Sequence, residues 1–296
     1  MFSILEVPLD AVVGDEQLGS KEKFWFARND GEWLFKKARQ NTGEDWAEKL
    51  GSEVAQLLEI RAARVELSSF AGQRGSASKS FVQSGENLAH GNEILAGSIV
   101  GYDRNKQLHQ SDHTLANISA AVKKLVVSPA ASEEIFRDLC GYFVLDALIC
   151  NTDRHHENWG LLSFFTQLDP ALTVTDIRVA PSFDHASSLG RELLDEKREE
   201  LLTRKQIGLY ARRGRGGIYL QSSDARGANP LQLIEYGVEN FRDAFHPALL
   251  KLVDTPMAKI LSLVDGIPDE RASATAREFS RELLTHNYNV LVGLAL

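Results

Sequence analysis

Cysteine and long apolar runs are both scarce in this sequence of 296 residues. Its only two cysteines, Cys140 and Cys150, lie ten positions apart within one apolar stretch. Two such residues do not make the disulfide framework of a small secreted protein, so buried free thiols in a reducing, cytoplasmic compartment are expected. No stretch approaches the roughly 20 apolar residues that a membrane-spanning helix needs, and no signal-peptide pattern opens the chain.

Excess positive charge is absent as well. The chain has 33 lysines and arginines against 41 aspartates and glutamates, which gives a formal net charge of −8. A net negative protein is poorly suited to bind nucleic acid or an anionic membrane by bulk electrostatics, so neither partner is expected. Hydrophobic residues make up 43% of the sequence. That content predicts a folded chain with a sizeable core, arranged as one large domain or as two lobes.

The first third of the sequence reads as β-strands around one helix. Two aromatic-rich runs, KFWFAR and EWLFKK, are separated by Asn-Asp-Gly, whose residues tolerate the positive φ of a tight hairpin turn. A helical stripe of Trp46, Leu50, Val54 and Leu57 follows, after acidic residues suited to the positive end of a helix. The predicted elements are strands at 23–28, 32–37, 63–69 and 78–83 and a helix at about 44–59.

The rest of the chain reads as mainly helical. The run at 133–151 is apolar almost all round, which predicts a buried helix. Two short strand-like pieces, at 159–165 and 173–179, flank a turn around Asp169 and Pro170. Together these patterns predict an α+β fold of two lobes, with the hinge within 81–86. The expected lobes are a small β-rich N-terminal lobe with one long helix at 1–86 and a larger, mainly helical C-terminal lobe at 87–296.

The most informative stretch is N-T-D-R-H-H-E-N-W-G at 151–160, a loop between the buried helix and a strand. Asp153 and Asn158 lie five residues apart, and Asp184 follows beyond the second strand-like piece. This is the pattern of a kinase site, which has an acid, an amide five residues later and a second acid beyond a hairpin. Asp153 would orient the acceptor hydroxyl, while Asn158 and Asp184 offer the hard oxygen ligands that Mg²⁺ prefers.

A kinase site also needs a lysine for the phosphates and a helix carboxylate to hold it. Lys36 ends the run W-L-F-K, directly before the helix that carries Glu48 and Glu53. Lys37 is adjacent but points the opposite way, because strand side chains alternate, so Lys36 is the expected lysine and Lys37 stays open. Glu53 lies nearer the apolar stripe than Glu48, and the helical periodicity therefore favours Glu53.

These segments resemble the HipA-like family of bacterial serine/threonine kinases, including its short stand-alone members. The D-R-H-x-x-N part of the loop motif is specific, and the other pieces support it in the family's order. The resemblance spans roughly residues 20–190, and the helical tail carries no motif. The matching stretches are W-L-F-K at 33–36, E-D-W-A-E-K-L-G-S-E-V-A at 44–55, R-G-S-A-S-K-S-F at 74–81, the loop motif at 151–160 and F-D-H at 183–185.

The resemblance implies a role for each matching residue. It makes Asp153 the catalytic aspartate, Asn158 and Asp184 the metal-binding pair and Lys36 the ATP lysine. It pairs Lys36 with Glu48 rather than with Glu53, so both glutamates stay candidates and Glu48 is slightly favoured. His155 is expected to brace the loop and in this way to contribute to nucleotide binding.

The resemblance also implies partners: ATP and Mg²⁺ as cofactors, a Ser or Thr of a protein as the phosphate acceptor, and a toxin–antitoxin role with an antitoxin-type partner.

The phosphate-covering loop is the weakest part of the pattern. Residues 14–21 read G-D-E-Q-L-G-S-K, which nearly matches a nucleotide-binding P-loop, but Ser and Lys are reversed and a strand follows instead of a helix. As a turn between strands, Gly19, Ser20 and Lys21 would cover the phosphates through backbone N–H groups, although a plain hairpin turn fits equally well. Self-phosphorylation of Ser20 is a further hypothesis.

Three other functions remain open. Histidines 155, 156 and 185 stand beside acids, which is compatible with a metal-dependent hydrolase, although no pair has the H-E-x-x-H spacing. A phosphoinositide-type lipid kinase would use the same cleft with a different acceptor. A kinase-shaped binding module would lack transfer activity.

The arginine-rich run A-R-R-G-R-G-G at 211–217 is the one biased segment. It reads as a flexible surface loop or as a segment that faces the substrate.

Overall fold

Aromatic strands and one charged helix build the N-terminal lobe. The structure is a computed structural model that describes residues 1–15, 22–106, 109–168 and 171–296. The strands of this lobe form one six-stranded sheet in the order β1-β5-β6-β4-β3-β2, in which only β1 and β5 are parallel. The elements are β1 (Ile4–Glu6), β2 (Val12–Asp15), β3 (Lys23–Arg28), β4 (Gly31–Lys37), α1 (Glu44–Leu57), β5 (Val65–Phe70) and β6 (Gln73–Lys79).

The β3–β4 hairpin forms where the sequence predicts it. Gly31 has a φ of +123°, a conformation that a side chain would strain. Phe24, Phe26, Trp33 and Phe35 alternate with outward residues and are buried in a small core of this sheet. The register sets Lys36 opposite Lys23 on one side and Ser76 on the other. The strand that carries the expected phosphate lysine is therefore held from both sides.

The prediction of the following strands is partly wrong. The strand expected at 78–83 lies at Gln73–Lys79, about five residues earlier. Ala71 and Gly72 have positive φ angles of 49° and 75°, and the ladder begins at once with Phe70 opposite Gln73. This two-residue turn starts the return strand sooner than the pattern of apolar residues indicates.

The C-terminal lobe is mainly helical and also holds a three-stranded antiparallel sheet in the order β7-β8-β9. The lobe boundary expected after residue 86 falls at the first residue of β7 and stays a prediction. The elements are β7 (Glu86–His90), α2 (Gly91–Ala96), α3 (Leu115–Leu125), α4 (Pro129–Ile149), β8 (Gly160–Leu168), β9 (Ala171–Val179), α5 (Asp195–Thr203), α6 (Ile207–Arg213), α7 (Pro230–Asn240), α8 (Arg242–Asp254), α9 (Met257–Val264) and α10 (Ala274–Ala295).

Helix α4 is the buried helix that the sequence predicts. Ser128 caps its N-terminus by accepting a hydrogen bond from the Ala131 N–H, and Pro129 occupies the first turn, where no N–H is needed. The helix packs against α3, α7, α8 and α10. Cys140 and Cys150 are free and buried, as predicted, and burial raises the pKa of the Cys150 thiol to about 12. No helix in the described part of the chain is both long and apolar enough to cross a membrane.

Helix α1 joins the two lobes. Asp45, in its first turn, is fully buried and accepts hydrogen bonds from Arg74 of the sheet and from Arg271, which precedes α10. Arg271 also donates to the Ser68 carbonyl and to Ser69 Oγ. The C-terminal helices are thereby tied to the N-terminal sheet through residues more than 200 positions apart in sequence.

Candidate active site

The chain leaves α4 through a sharp turn that presents the loop at 151–159. Cys150 adopts a left-handed conformation, with a φ of 57°, and ends the helix. Asn151 then folds back, donating from its backbone N–H to the Asp146 carbonyl at 2.8 Å and from Nδ2 to Asp146 Oδ1 at 2.8 Å. The loop is therefore anchored at its first residue before the chain enters β8.

Arg154 clamps the loop from beneath. Its side chain is 3% exposed and binds the Asp146 carboxylate through two hydrogen bonds of 2.7 and 2.8 Å. Burial alone would lower the pKa of Arg154, but the charge and hydrogen bonds of Asp146 outweigh it and raise that pKa. The same guanidinium donates to the carbonyls of Asn158 at 2.5 Å and Phe183 at 3.0 Å. One buried side chain thus holds together the two segments that carry the expected metal ligands.

Neither Asp146 nor Arg154 was identified as functional from the sequence. The available signal was Asp146 itself, a charged residue in the middle of the apolar run F-V-L-D-A-L-I-C. A carboxylate at such a position needs a buried partner, since burial of an unpaired charge is costly. Because local sequence does not say which cation comes back to meet it, the clamp became visible only in the fold.

Asp153 points the other way from its neighbour Arg154 and is exposed. Its Oδ2 accepts a hydrogen bond from Ser187 Oγ at 3.2 Å. Ser187 Oγ in turn accepts one from Arg191 at 3.1 Å, and Arg191 also pairs with Glu44 at the start of α1. The carboxylate is therefore held by a short chain of contacts while it stays accessible to a substrate hydroxyl.

Asn158 and Asp184 are held near one another through the Arg154 clamp. The Nδ2 of Asn158 donates to the Asp153 carbonyl at 2.7 Å, which leaves Oδ1 as the side-chain atom available to a cation. Asp184 has a φ of 60°, a strained angle for a residue with a side chain, and its carboxylate is 34% exposed. One amide oxygen and one carboxylate suit Mg²⁺, which takes few protein oxygens and fills its other positions with water and phosphate.

Lys36 reaches Asp184 across the cleft between the lobes. Its Nζ lies 3.2 Å from Asp184 Oδ1, and the lysine side chain is 20% exposed. Burial would lower the pKa of Lys36, but the carboxylates of Asp184, Glu48 and Glu44 outweigh burial and raise it. Lys37 points away and pairs with Glu22 at 2.9 Å. The alternation of the strand thus brings Lys36, and not Lys37, to the Asp184 carboxylate.

Glu48 and Glu53 lie on different sides of α1. Glu48 is 1% exposed, stands 3.8 Å from His185 Nδ1 and is close enough to Lys36 to raise its pKa. Glu53 instead binds Lys49 at 2.7 Å. The preference for Glu53 from helical periodicity was wrong, because the first turns of α1 are buried almost all round and paired charges share that burial with the apolar stripe.

The histidines beside the acids serve the loop. Ring nitrogens of His156 and His185 lie 2.7 Å from Tyr102 OH and Ser182 Oγ, respectively. His155 Nδ1 accepts from the Glu157 N–H at 3.2 Å, so it braces its own turn, and a direct role in nucleotide binding stays a prediction. Among the described residues, no three or more His, Cys, Asp or Glu side chains cluster as a metal site. The cluster that suggested a metal-dependent hydrolase therefore does not assemble there.

The predicted phosphate-covering turn, Gly19, Ser20 and Lys21, lies outside the described residues. Its role and the self-phosphorylation of Ser20 stay predictions.

Comparison with known proteins identifies a family for most of the chain. The model of the HipA-like C-terminal domain matches residues 17–216, which is more than half of the sequence. Among curated protein sequences, none matches the chain.

Several solved structures share the fold, and two of them are described next. The Helicobacter pylori proinflammatory kinase CtkA is 18% identical and superposes with a TM-score of 0.79 over 99% of both chains. A chain of the Shewanella oneidensis MR-1 toxin–antitoxin complex of HipA, HipB and operator DNA is 11% identical, with a TM-score of 0.57 over 98% of this chain and 67% of that one. At such low identity the likeness establishes the fold alone, and it confirms the expected two-lobed, kinase-like α+β architecture.

Proposed function

The chain belongs to the family of HipA-like C-terminal domains, and on that basis we propose that it is a protein kinase that transfers phosphate from Mg-ATP to a Ser or Thr. The observation that carries the proposal is the contact of Lys36 with Asp184 at 3.2 Å in the cleft between the lobes. A lysine with a raised pKa beside a partly exposed carboxylate is suited to bind phosphate and metal together.

Each residue of the cleft has a task in this mechanism. Lys36 would bind phosphate oxygens, and Glu48 behind it would keep its ammonium group in place. Asp153 would accept the proton of the acceptor hydroxyl as the hydroxyl oxygen bonds to the γ-phosphorus and the bond from that phosphorus to the leaving ADP oxygen breaks. Ser187 would hold the Asp153 carboxylate towards that hydroxyl.

The metal requirement fits the residues present. Asn158 Oδ1 and the Asp184 carboxylate would hold Mg²⁺, which when bound neutralises negative charge on the phosphates. Arg154 fixes the spacing of these two ligands through the backbone carbonyls of Asn158 and Phe183. In the mechanism Arg154 positions the ligands and touches neither substrate.

The structures that share the fold support a proposal for the acceptor and for the partner. CtkA is described as a kinase, and HipA is seen together with HipB and operator DNA. We therefore propose a protein hydroxyl as the acceptor and an antitoxin-type protein as a regulatory partner. As part of the same proposal, the protein acts in the cytoplasm.

The test is incubation with γ-labelled ATP and Mg²⁺, with protein phosphorylation and phosphoinositide phosphorylation read separately. Wild type should label a Ser or Thr that mass spectrometry can locate. Asp153→Ala should lose label at least about a thousandfold while it still binds Mg-ATP, because the loss falls on the transition state. Asp184→Ala should instead weaken the binding of Mg-ATP itself.

The other outcomes are distinct. Label on the lipid alone would replace the protein acceptor with a phosphoinositide. Absence of both label and Mg-ATP binding in wild type would defeat the kinase proposal. Unchanged transfer by Asp153→Ala would remove the role given to that residue, and intact Mg-ATP affinity in Asp184→Ala would move the metal site elsewhere.

A further inference from the structure

The arginine segment, residues 211–217, is held firmly in place. It comprises the end of α6 and the turn that follows, and Asn229 Nδ2 donates to the carbonyls of Ala211 at 2.7 Å and Gly214 at 3.0 Å. The Gly216 N–H donates to the Ala228 carbonyl at 2.7 Å, and His113 Nδ1 lies 2.8 Å from the Gly217 carbonyl. The flexible surface loop that the sequence suggested is therefore an ordered wall, since backbone groups along it are engaged.

This wall lies directly against the loop that carries Asp153. A Cβ added at Gly214 would come within 2.6 Å of Thr152 Cγ2, and one at Gly217 within 2.8 Å of His155 Cα. Glycine at both positions therefore permits a contact that any side chain would block. Thr152 and His155 enclose Asp153 in sequence, just as Gly214 and Gly217 enclose Arg215. The backbone that carries Arg213 and Arg215 therefore lies against the two residues that flank the expected catalytic carboxylate in sequence.

The three arginines of the wall differ in whether they form an ion pair. Arg212 pairs with Glu235 at 2.8 Å. Arg213 and Arg215 are exposed, and no ion pair joins either of them to another residue in the described parts of the chain. Elsewhere on this face Arg191 is engaged with Glu44. Two exposed arginines without an ion pair to the described residues are thus carried by a segment that packs on the Asp153 loop, in a chain of net charge −8.

We propose that Arg213 and Arg215 bind an acidic peptide segment next to the acceptor hydroxyl, so that the protein selects a Ser or Thr flanked by Asp or Glu. This inference rests on the proposed kinase function and names its substrate class. A guanidinium group presents a planar fork of donors that matches a carboxylate. Ion pairs here would steer the hydroxyl towards Asp153 without contact with the phosphates of ATP.

A nucleic acid is a weaker match for the same surface. Two arginines neutralise about two phosphates, whereas stable binding of a duplex engages roughly six to ten. The acidic side chains of the cleft and the net negative charge would repel an extended polyanion. A short acidic peptide needs only a local pair of cations.

The experiment measures peptide binding and peptide phosphorylation separately. The probes are fluorescent peptides that carry one serine flanked by glutamates, by glutamines or by lysines, bound in the presence of Mg²⁺ and a non-hydrolysable ATP analogue. The glutamate peptide should bind wild type best, and Arg213→Gln with Arg215→Gln should weaken it about tenfold, an effect that salt reduces. Arg212→Gln is the matched control, because it removes a neighbouring charge that is already paired, and it should bind as wild type does.

Each result decides the question. The inference would be overturned if wild type bound the three peptides with equal affinity, or if the double variant lost no more affinity than Arg212→Gln does. In either case, phosphate transfer to any of the peptides would still support the proposed kinase function. Tighter binding of single-stranded DNA through the same two arginines would replace the acidic peptide with a nucleic acid. If no peptide is phosphorylated, the kinase proposal loses its support, whereas the binding arm still tests the arginines.

Discussion

Two ion pairs meet at the segment that carries Asp184, and they differ in exposure. Arg154 and Asp146 are 3% and 6% exposed and share two hydrogen bonds, while Arg154 has further bonds to backbone carbonyls. Lys36 and Asp184 are 20% and 34% exposed and meet at 3.2 Å. The first pair is closed on all sides, and the second opens onto the cleft.

The difference separates positioning from chemistry. In a buried pair, removal of one partner leaves the other charge with neither a counter-ion nor water, which costs several kcal/mol. The two partners therefore stay together for as long as the protein is folded. An open pair can exchange one partner for a phosphate or a cation at small cost to stability. The closed pair is therefore suited to hold the loop geometry, and the open pair to bind and release Mg-ATP.

The largest expected effect comes from breaking the closed pair. Asp146→Ala leaves Arg154 buried and uncompensated, so the free energy of unfolding should fall by about 3–5 kcal/mol. Urea denaturation measures this change. Asp138→Ala is the control on the same helix, because Asp138 pairs with Arg61 at a surface where the side chains are 34% and 54% exposed. That variant should lose less than about 1 kcal/mol, and equal losses would contradict the distinction.

Breaking the open pair should affect activity instead. Lys36→Met should lower phosphate transfer by about a hundredfold, since one phosphate-binding charge is worth roughly 3 kcal/mol in a transition state. The same change should lower the free energy of unfolding by less than Asp146→Ala does, because the Asp184 carboxylate keeps access to water. Lys37→Met, next to it on the strand and paired with Glu22, should leave transfer unchanged. Comparable losses in both variants would remove the assignment to Lys36.

The two pairs also mark what the sequence could predict. The sequence predicts Lys36, Asp153, Asn158 and Asp184 as site residues because their spacing reflects chemistry that any kinase site needs, and the structure brings Lys36 to within 3.2 Å of Asp184 while the roles stay predictions. The Arg154–Asp146 clamp and the choice of Glu48 over Glu53 depend on which side chains are buried. A helix that is buried on all sides has no polar face, so its sequence does not show which charged residue faces the site.

Contacts between distant parts of the chain were hardest to predict. Arg271 reaches Asp45 across 226 positions, and Arg271 lies in the helical tail, where the sequence carries no motif. The β3–β4 hairpin, by contrast, was predicted correctly, because its turn residues and alternating aromatics lie within fifteen positions. The position of β6 was missed because the turn at Ala71 and Gly72 carries only one residue typical of a hairpin.

Acidification should lower the free energy of unfolding through His113, a buried histidine that contacts both Gly217 and Trp159. The buried ring of His113 donates from Nδ1 to the Gly217 carbonyl and accepts at Nε2 from the Trp159 N–H, and this pattern requires the neutral ring. Burial lowers the pKa of His113 to about 3 from its ordinary 6.5. Between these values the unfolded chain binds a proton that the folded chain does not, so stability is full above pH 6.5 and falls as the pH drops.

The expected slope from His113 is about 1.4 kcal/mol per pH unit. Denaturation curves at pH 7, 6, 5 and 4 would measure it against His113→Gln, whose amide can also donate and accept but does not titrate. The variant should have the shallower dependence on pH. Parallel curves would mean that other groups, such as buried His185, account for the acid sensitivity.

The smallest expected effect lies at the contact between the exposed carboxylate and its serine. Ser187→Ala removes the hydrogen bond to Asp153 Oδ2, and water replaces it, so the loss should be about 1 kcal/mol, or roughly fivefold in kcat. KM for Mg-ATP should stay unchanged, because Ser187 orients Asp153 and touches neither phosphate nor metal. Ser187→Thr keeps the hydroxyl and should restore kcat. A loss that appears in KM, or one that threonine does not restore, would show that Ser187 acts through packing and that Asp153 is oriented by its backbone alone.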